Sequence, residues 1–151
     1  MKTLIDTIAT ALKNAESLSY ITNTNIFVTP DADIIPYSCF FPALGIKDGP
    51  IEYRPLTNIR REVTYNVDVI IYVKLTEGET PITGQTTPRI YGVLEIASDI
   101  DGLLSENYLS ITGMEQAWLV NEQASRTIGY DELVLQQKIM TFQYTKQEDR
   151  P

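Results

Sequence analysis

The sequence predicts an α+β domain: an antiparallel or mixed β-sheet with two amphipathic helices packed on one face. Three observations predict it. From Glu62 to Leu75 every second residue is apolar, with Val63, Tyr65, Val67, Val69, Ile71, Val73 and Leu75 alternating against Glu62, Thr64, Asn66, Asp68 and Lys74. Successive strand side chains point to opposite faces, so this is a long strand with one apolar and one largely polar face. Two other stretches carry apolar stripes at helical spacing, and the C-terminal third reads as two further strands.

Thr3 to Ser19 forms the first stripe, with Leu4, Ile5, Ile8, Ala11, Leu12, Ala15 and Leu18 on one face and Lys2, Asp6, Lys13 and Glu16 off it. Thr3 followed by Asp6 is a weak capping box. Asn25 to Val28 is a short strand stopped by Pro30, and Asp31-Ala32-Asp33 turns the chain. Tyr37 to Ile46 reads as an apolar strand with Pro42 near its end, which places it at an edge or a bulge. Lys47-Asp48-Gly49-Pro50 is a turn signal, and Ile51 to Ile59 crosses as extended chain to the long strand.

After that strand comes Glu77 to Pro88, polar, rich in Pro, Gly and Thr, and without period. A strong strand running into such a loop predicts a flexible segment that works outside its own domain, in assembly rather than chemistry. Arg89 to Ser105 is the second helix, with Ile90, Val93, Leu94, Ala97, Ile100, Leu103 and Leu104 on one face and Gly92 and Gly102 within it. Asn107 to Gly113 leads out. One strand starts at Ala117 and runs toward Arg126; Ile128 to Asp131 turns; Leu133 to Thr145 is the other strand. Met140, Phe142 and Tyr144 share a face there, while Leu133 and Leu135 have the opposite parity, which suggests a bulge near Gln137. Lys146 to Pro151 reads as a frayed tail. No internal repeat and no boundary appears, so residues 1–151 are expected to form one domain.

Composition narrows the function. A chain of 151 residues buries about 68–70% of its unfolded surface and needs no disulfide or metal staple. Cys39 is the single cysteine, so no intrachain disulfide forms. It lies between Ser38 and Phe40 and reads as a packed small residue rather than a reactive thiol. The N-terminus does not read as a secretion signal, because Asp6 interrupts its apolar residues. No run approaches the roughly 18 apolar residues of a membrane span, so a soluble protein is expected.

The formal charge is −8, from 20 acidic and 12 basic residues, which argues against wrapping nucleic acid. The acidic excess is either an ordinary solvated surface or one that repels passing DNA. Histidine is absent. That excludes serine–histidine and cysteine–histidine nucleophile systems and zinc sites built on histidine or paired cysteine. Asp31 and Asp33 could bind a cation, but a Pro-flanked turn also favours aspartate. Asp99-Ile100-Asp101-Gly102 lacks the third ligand of a calcium loop and reads as the polar side of the second helix. Gly45 and Gly49 make no phosphate-binding loop, and Trp118 reads as core. No cofactor and no metal is expected. Ile70 and Tyr72 interrupt the polar face of the long strand; they contact the second helix or mark a surface that another subunit covers.

The layout is a leading helix, then Phe40-Phe-Pro-Ala-Leu-Gly-Ile-Lys-Asp-Gly49, the alternating strand Val63 to Leu75, a polar loop, the helix Ile90 to Leu104 and a C-terminal hairpin. Over nearly the whole chain it resembles the tail terminator (tail completion) proteins of long-tailed bacteriophages. The resemblance implies a homohexameric ring, closed through a heterologous interface, that caps the last ring of the tail tube. It also implies tail tube protein and head/neck connector as partners, DNA passing without specific binding, no membrane, no catalytic set, and a place in the virion after assembly in the host cytoplasm. The candidate assembly residues are Asp68, Ile70 and Tyr72 on the strand and Glu77, Glu79, Ile82, Gln85 and Arg89 in and after the loop. Rival readings are a head–tail stopper or tube protein, a small enzyme using Asp31, Asp33, Asp99 and Asp101, and a ligand-binding module.

Overall fold

A computed structural model describes residues 1–76 and 78–151. In chain order it contains helix α1 (Lys2–Asn14), strands β1 (Ile26–Val28), β2 (Ala43–Pro55) and β3 (Arg60–Lys74), helices α2 (Thr80–Thr83) and α3 (Val93–Leu104), and strands β4 (Met114–Glu122), β5 (Arg126–Tyr130) and β6 (Leu133–Asp149). The six strands form one mixed sheet in the order β1-β2-β3-β6-β4, with β5 also paired to β6. Among the described residues only β1 and β2 run parallel; the remaining strand pairs are antiparallel. The expected α+β class, with a mixed sheet, is the class observed.

The alternating strand is the spine. β3 pairs with β6 without interruption from Arg60↔Asp149 to Lys74↔Leu135. Its Val67, Val69, Ile71 and Val73 pack with Leu44, Ile46, Met140, Phe142 and Tyr144 against Leu4, Ile8 and Leu12 of α1 and Val93, Ile96, Ala97, Ile100 and Leu104 of α3. Each fully buried aliphatic or Phe side chain contributes about 1.5–3 kcal/mol, so this layer dominates stability.

The other face carries a second, smaller core. Ile70, Tyr72, Ala43, Leu135 and Ile35 are buried together, with Phe27, Phe41, Ile128 and Tyr130 packed around them. Their cover is the chain's own segment from Thr29 to Pro42. The hydroxyls of Tyr72 and Tyr130 donate to the carbonyls of Ala32 and Pro36, and Gln137 Nε2 donates to Ala32 at 2.8 Å. This corrects three expectations. Ile70 and Tyr72 meet neither α3 nor open solvent. Tyr37 to Pro42 is loop rather than strand. Leu135 faces this second core in regular register, so β6 needs no bulge near Gln137.

Other boundaries move for local reasons. The first helix stops at Asn14, where Ala15 turns extended, and a 3-10 turn over Glu16–Leu18 returns Leu18 to the core. The Lys47–Pro50 turn signal lies inside β2, where a register shift between Asp48 and Ile51 absorbs Gly49 and Pro50. Beyond Ile46 the strand has lost β1 and is an edge, where a proline without N–H costs no ladder bond. Asn66 Nδ2 donates to the Pro50 carbonyl at 2.9 Å, and a Cβ on Gly49 would lie 2.9 Å from the Asn66 carbonyl oxygen. The bulge is therefore built for glycine there.

The helix expected from Arg89 is α3 and begins at Val93, with Gly92 as its N-cap rather than an internal residue. Its buried face is Val93, Ile96, Ala97, Ile100 and Leu104, so Ile96 joins the stripe and the half-exposed Leu94 leaves it. β4 and β5 lie along the same edge of β6 as one interrupted strand. Lys138, almost wholly buried, spans the gap by bonding the Gln123 carbonyl at 2.8 Å and Glu122 at 3.1 Å. The turn falls at Asp131-Glu132, with Asp131 at φ 54, and Ile128 to Tyr130, expected in the turn, belong to β5. Lys146 to Asp149 is not frayed; it continues β6 alongside Arg60 to Val63.

Candidate assembly interface

The long-strand candidates separate. Ile70 and Tyr72 have no accessible surface, so in the folded chain they offer nothing to a neighbour. Burial also raises the Tyr72 hydroxyl pKa, which keeps it neutral and donating to Ala32. Asp68 keeps partial exposure and belongs to a polar ladder across β3 and β6. Thr141 donates to Asp68 at 2.7 Å, Gln143 to Asn66 at 3.3 Å, and Thr64 meets Thr145 at 3.4 Å. This half of the second face is hydrogen-bonded across the two strands, with Asn66 and Thr145 buried and Thr64, Asp68, Thr141 and Gln143 half-buried.

The segment after β3 is less free than its composition suggests. Glu77 lies outside the described residues. Thr80–Thr83 closes one helical turn, Pro81 is buried, and Ile82 packs against the main core. Gln85 and Ile90 exchange backbone hydrogen bonds at 2.8 and 2.9 Å, which closes a tight loop around the exposed Thr86, Thr87 and Pro88. Two glycines then allow the loop to touch the start of α3. Gly84 sits at φ +85, and a Cβ there would overlap the Glu95 carboxylate; a Cβ on Gly92 would lie 2.4 Å from the Gly84 nitrogen.

Glu95 fastens this clasp. Its carboxylate accepts from the Gly92 N–H at 3.3 Å and pairs with the Arg89 guanidinium. The hydrogen bond from Arg89 holds the Glu95 carboxyl below the usual carboxylate range. Arg89 also lies over the Tyr91 ring at 4.1 Å, and Tyr91 stacks on Tyr20 at 3.6 Å with the rings 4° from parallel. The Tyr20 hydroxyl donates to Asp99 at 2.8 Å, and burial together with that carboxylate raises its pKa. An open cleft of about 620 Å³ lies beside this stack, lined by Glu16, Tyr20, Arg89, Glu95, Ser98 and Asp99 among others. Of the loop candidates, Glu79 and Arg89 are exposed, Gln85 is partly covered, and Ile82 serves the chain's own core.

The carboxylates weighed for chemistry are placed apart. Asp31 and Asp33 sit in the loop over the second face, where the Asp33 N–H donates to Asp31 Oδ1 at 3.0 Å and Asp33 pairs with Arg126 at 2.6 Å. Asp99 and Asp101 lie on α3, over the opposite face, bonded to Tyr20 and Ser105. Among the described residues no three His, Cys, Asp or Glu side chains gather as a metal site. Burial pushes the Cys39 thiol up to about 11, so little of it is thiolate at neutral pH. Trp118 lies on the edge strand β4 and is 45% exposed rather than core.

Two surfaces escape sequence reasoning. Tyr37 is 93% and Phe40 77% exposed on the loop over the second face. At the far end of the sheet, the β2–β3 hairpin exposes Ile51, Tyr53, Leu56 and Ile59 beyond the reach of the helices. The prolines at 36 and 42 bracket the first as a loop, and Asn58 marks the hairpin turn; neither signal tells which apolar side chains stay outside. No protein-family model matches the chain, and no curated protein matches its sequence.

Proposed function

We propose that this chain is a structural virion protein that forms a ring on the end of a phage tail tube. There it stops tube growth and presents a surface to the head or neck connector. The observation that carries the reading is the order and layering of elements. A leading helix and α3 cover one face of a sheet whose spine is β3, and the chain closes with a C-terminal hairpin. That is the layout on which the resemblance to tail terminators rests. The large exposed apolar residues at both ends of the sheet support assembly. A head–tail stopper or tube protein is the nearest second reading, because the same exposed residues would serve either.

The test is light scattering across concentration with electron microscopy of the same sample, followed by addition of purified tail tubes. Closed rings, or single rings added at tube ends, fit the terminator. Long tubes of this protein alone would assign it to the tube. Failure to bind tube ends in either state would remove the reading.

A further inference from the structure

We infer that the segment from Pro30 to Pro42 is a strap that opens as one unit while the sheet and helices stay folded. Opening uncovers Ile70, Tyr72 and Leu135, the apolar centre of the face opposite α1 and α3. The backbone sets the strap apart. It contains no helix and no strand. Pro30 and Pro42 lack the N–H that a ladder needs and bound it at either end. Just outside them the chain is anchored: the Thr29 N–H donates to the Ile46 carbonyl at 2.9 Å, and Ala43 pairs with Tyr72. Among the described residues no backbone–backbone hydrogen bond joins the strap to the rest of the chain. Its own, from Ile34 to Asp31 and from Cys39 to Pro36, are turns within it.

Packing sets it apart as well. No residue of the strap belongs to the main core. Ile35 is its one buried apolar side chain; Ala32, Cys39 and Phe41 are partly covered, and Ile34, Tyr37 and Phe40 are exposed. So little buried apolar surface places a segment at the low-stability end of a fold, because little opposes the backbone entropy that release returns.

Side chains do the fastening. The Tyr72 hydroxyl and Gln137 Nε2 donate to the Ala32 carbonyl, and Arg126 pairs with Asp33 at 2.6 Å. The Tyr130 hydroxyl donates to the Pro36 carbonyl at 2.9 Å, and the Phe40 N–H donates to Asn25 Oδ1 at 2.9 Å. Ile35 lies between the Asp33 and Pro36 ties, so its withdrawal carries both with it and couples the two ends of the strap. The hydroxyl, amide and guanidinium groups left behind all become open to water. Opening therefore exchanges these bonds for hydration and strands no buried polar group, which is the costly alternative. It needs no partner and does not depend on the proposed ring.

Native-state amide exchange of the whole chain, followed by NMR, tests this. The reporters are the Ile34, Cys39 and Phe40 N–H groups in the strap and the Val69 and Ile71 N–H groups in the β3 ladder. The strap amides should share one opening equilibrium and exchange at least about 100-fold faster than the ladder amides, with the weak urea dependence of a small newly exposed surface. Tyr130→Phe keeps the ring and removes the tie to Pro36. It should speed Ile34, Cys39 and Phe40 together, by roughly two- to tenfold. A second probe reads the uncovered face: in Leu135→Cys with Cys39→Ser, a maleimide should label the buried thiol far faster than the chain unfolds, and Tyr130→Phe should raise that rate by the same factor. Circular dichroism checks that this variant folds, and the exchange experiment stands without it. Strap amides that exchange only at the ladder rate, acceleration confined to Cys39 and Phe40, or a thiol at position 135 labelled no faster than global unfolding overturns the independent strap.

Discussion

The hydroxyl of Tyr72 donates to the carbonyl oxygen of Ala32, forty positions earlier, and so ties the middle of β3 to the loop that crosses it. That carbonyl also accepts from Gln137 at 2.8 Å, so strands β3 and β6 grip the loop at one atom. Tyr72→Arg is therefore expected to act on folding before assembly. It forces a longer, charged side chain into a site with no accessible surface, at a cost of about 1–3 kcal/mol from overpacking alone. Tyr72→Phe removes one hydrogen bond and keeps the packing, at about 1 kcal/mol. Urea unfolding of the monomer measures both, and equal stability of the arginine variant and wild type would contradict the burial.

The clasp between the loop after β3 and α3 makes a sharper demand. Gly92 has φ −89, a conformation open to any residue, so the need for glycine is one of space. A Cβ would sit 2.4 Å from the Gly84 nitrogen and 2.5 Å from the Ile82 carbonyl oxygen. Both are backbone atoms that cannot swing away. Gly92→Ala should cost about 1–3 kcal/mol and loosen the loop, with faster amide exchange at Gln85 and Ile90. Gly102→Ala is the control: it is mid-helix with open space around its Cβ, and should stabilise by about 0.5–1 kcal/mol. Similar destabilisation by both would mean that helix propensity, not the clasp, governs.

Much of the main core was legible because one physical pattern dominates it. Val67, Val69 and Ile71 alternate cleanly since one face of β3 meets helices and the other half of the strand meets polar rungs. The second core was not legible. Ile70, Tyr72 and Leu135 look like errors of parity until the Thr29–Pro42 segment is folded over them, and nothing local in sequence announces that long-range cover. Gly49-Pro50 read as a turn for the same reason. A bulge and a turn use the same residues, and only the partner strand, through Asn66, distinguishes them. The loop after β3 read as uncommitted because its fastening depends on Gly84 and Gly92 approaching each other, which composition does not reveal.

Tyr144 offers a stabilising substitution. Its ring is fully buried in the main core, and its hydroxyl has no hydrogen-bond partner among the described residues. Burial raises its pKa, so the group stays neutral, but the lost hydration is not returned. Tyr144→Phe keeps the ring and deletes the orphan. A gain of up to about 1 kcal/mol is expected in thermal or urea unfolding. A loss of more than that would show that the hydroxyl is bonded in solution.

The acid limb of stability should depend on two carboxylates. Glu95 is held below the usual carboxylate pKa by Arg89, and Glu148 by Arg61 and then Lys146. A carboxyl with a lowered folded pKa binds fewer protons than in the unfolded chain. It therefore stabilises the fold above its unfolded value of 4.5, and that contribution disappears as pH falls through the lowered folded value. Lys146 has the opposite sign. Its pKa is raised, chiefly by Glu148, so its contribution is complete below 10.5 and is lost only as pH rises through the raised value. Neutral solution thus retains all three. Arg61 Nη2 lies 2.6 Å from Glu148, but both side chains are about a quarter exposed, so the pair is worth less than about 1 kcal/mol after solvent screening. Glu148→Gln should lower the melting temperature slightly at pH 7, and the gap to wild type should narrow progressively as pH falls below 4.5. Added salt should shrink the difference at pH 7. Melting curves of the two proteins across this range decide it. A gap that stays constant with pH would assign the loss to packing of Glu148 against β3 rather than to its charge.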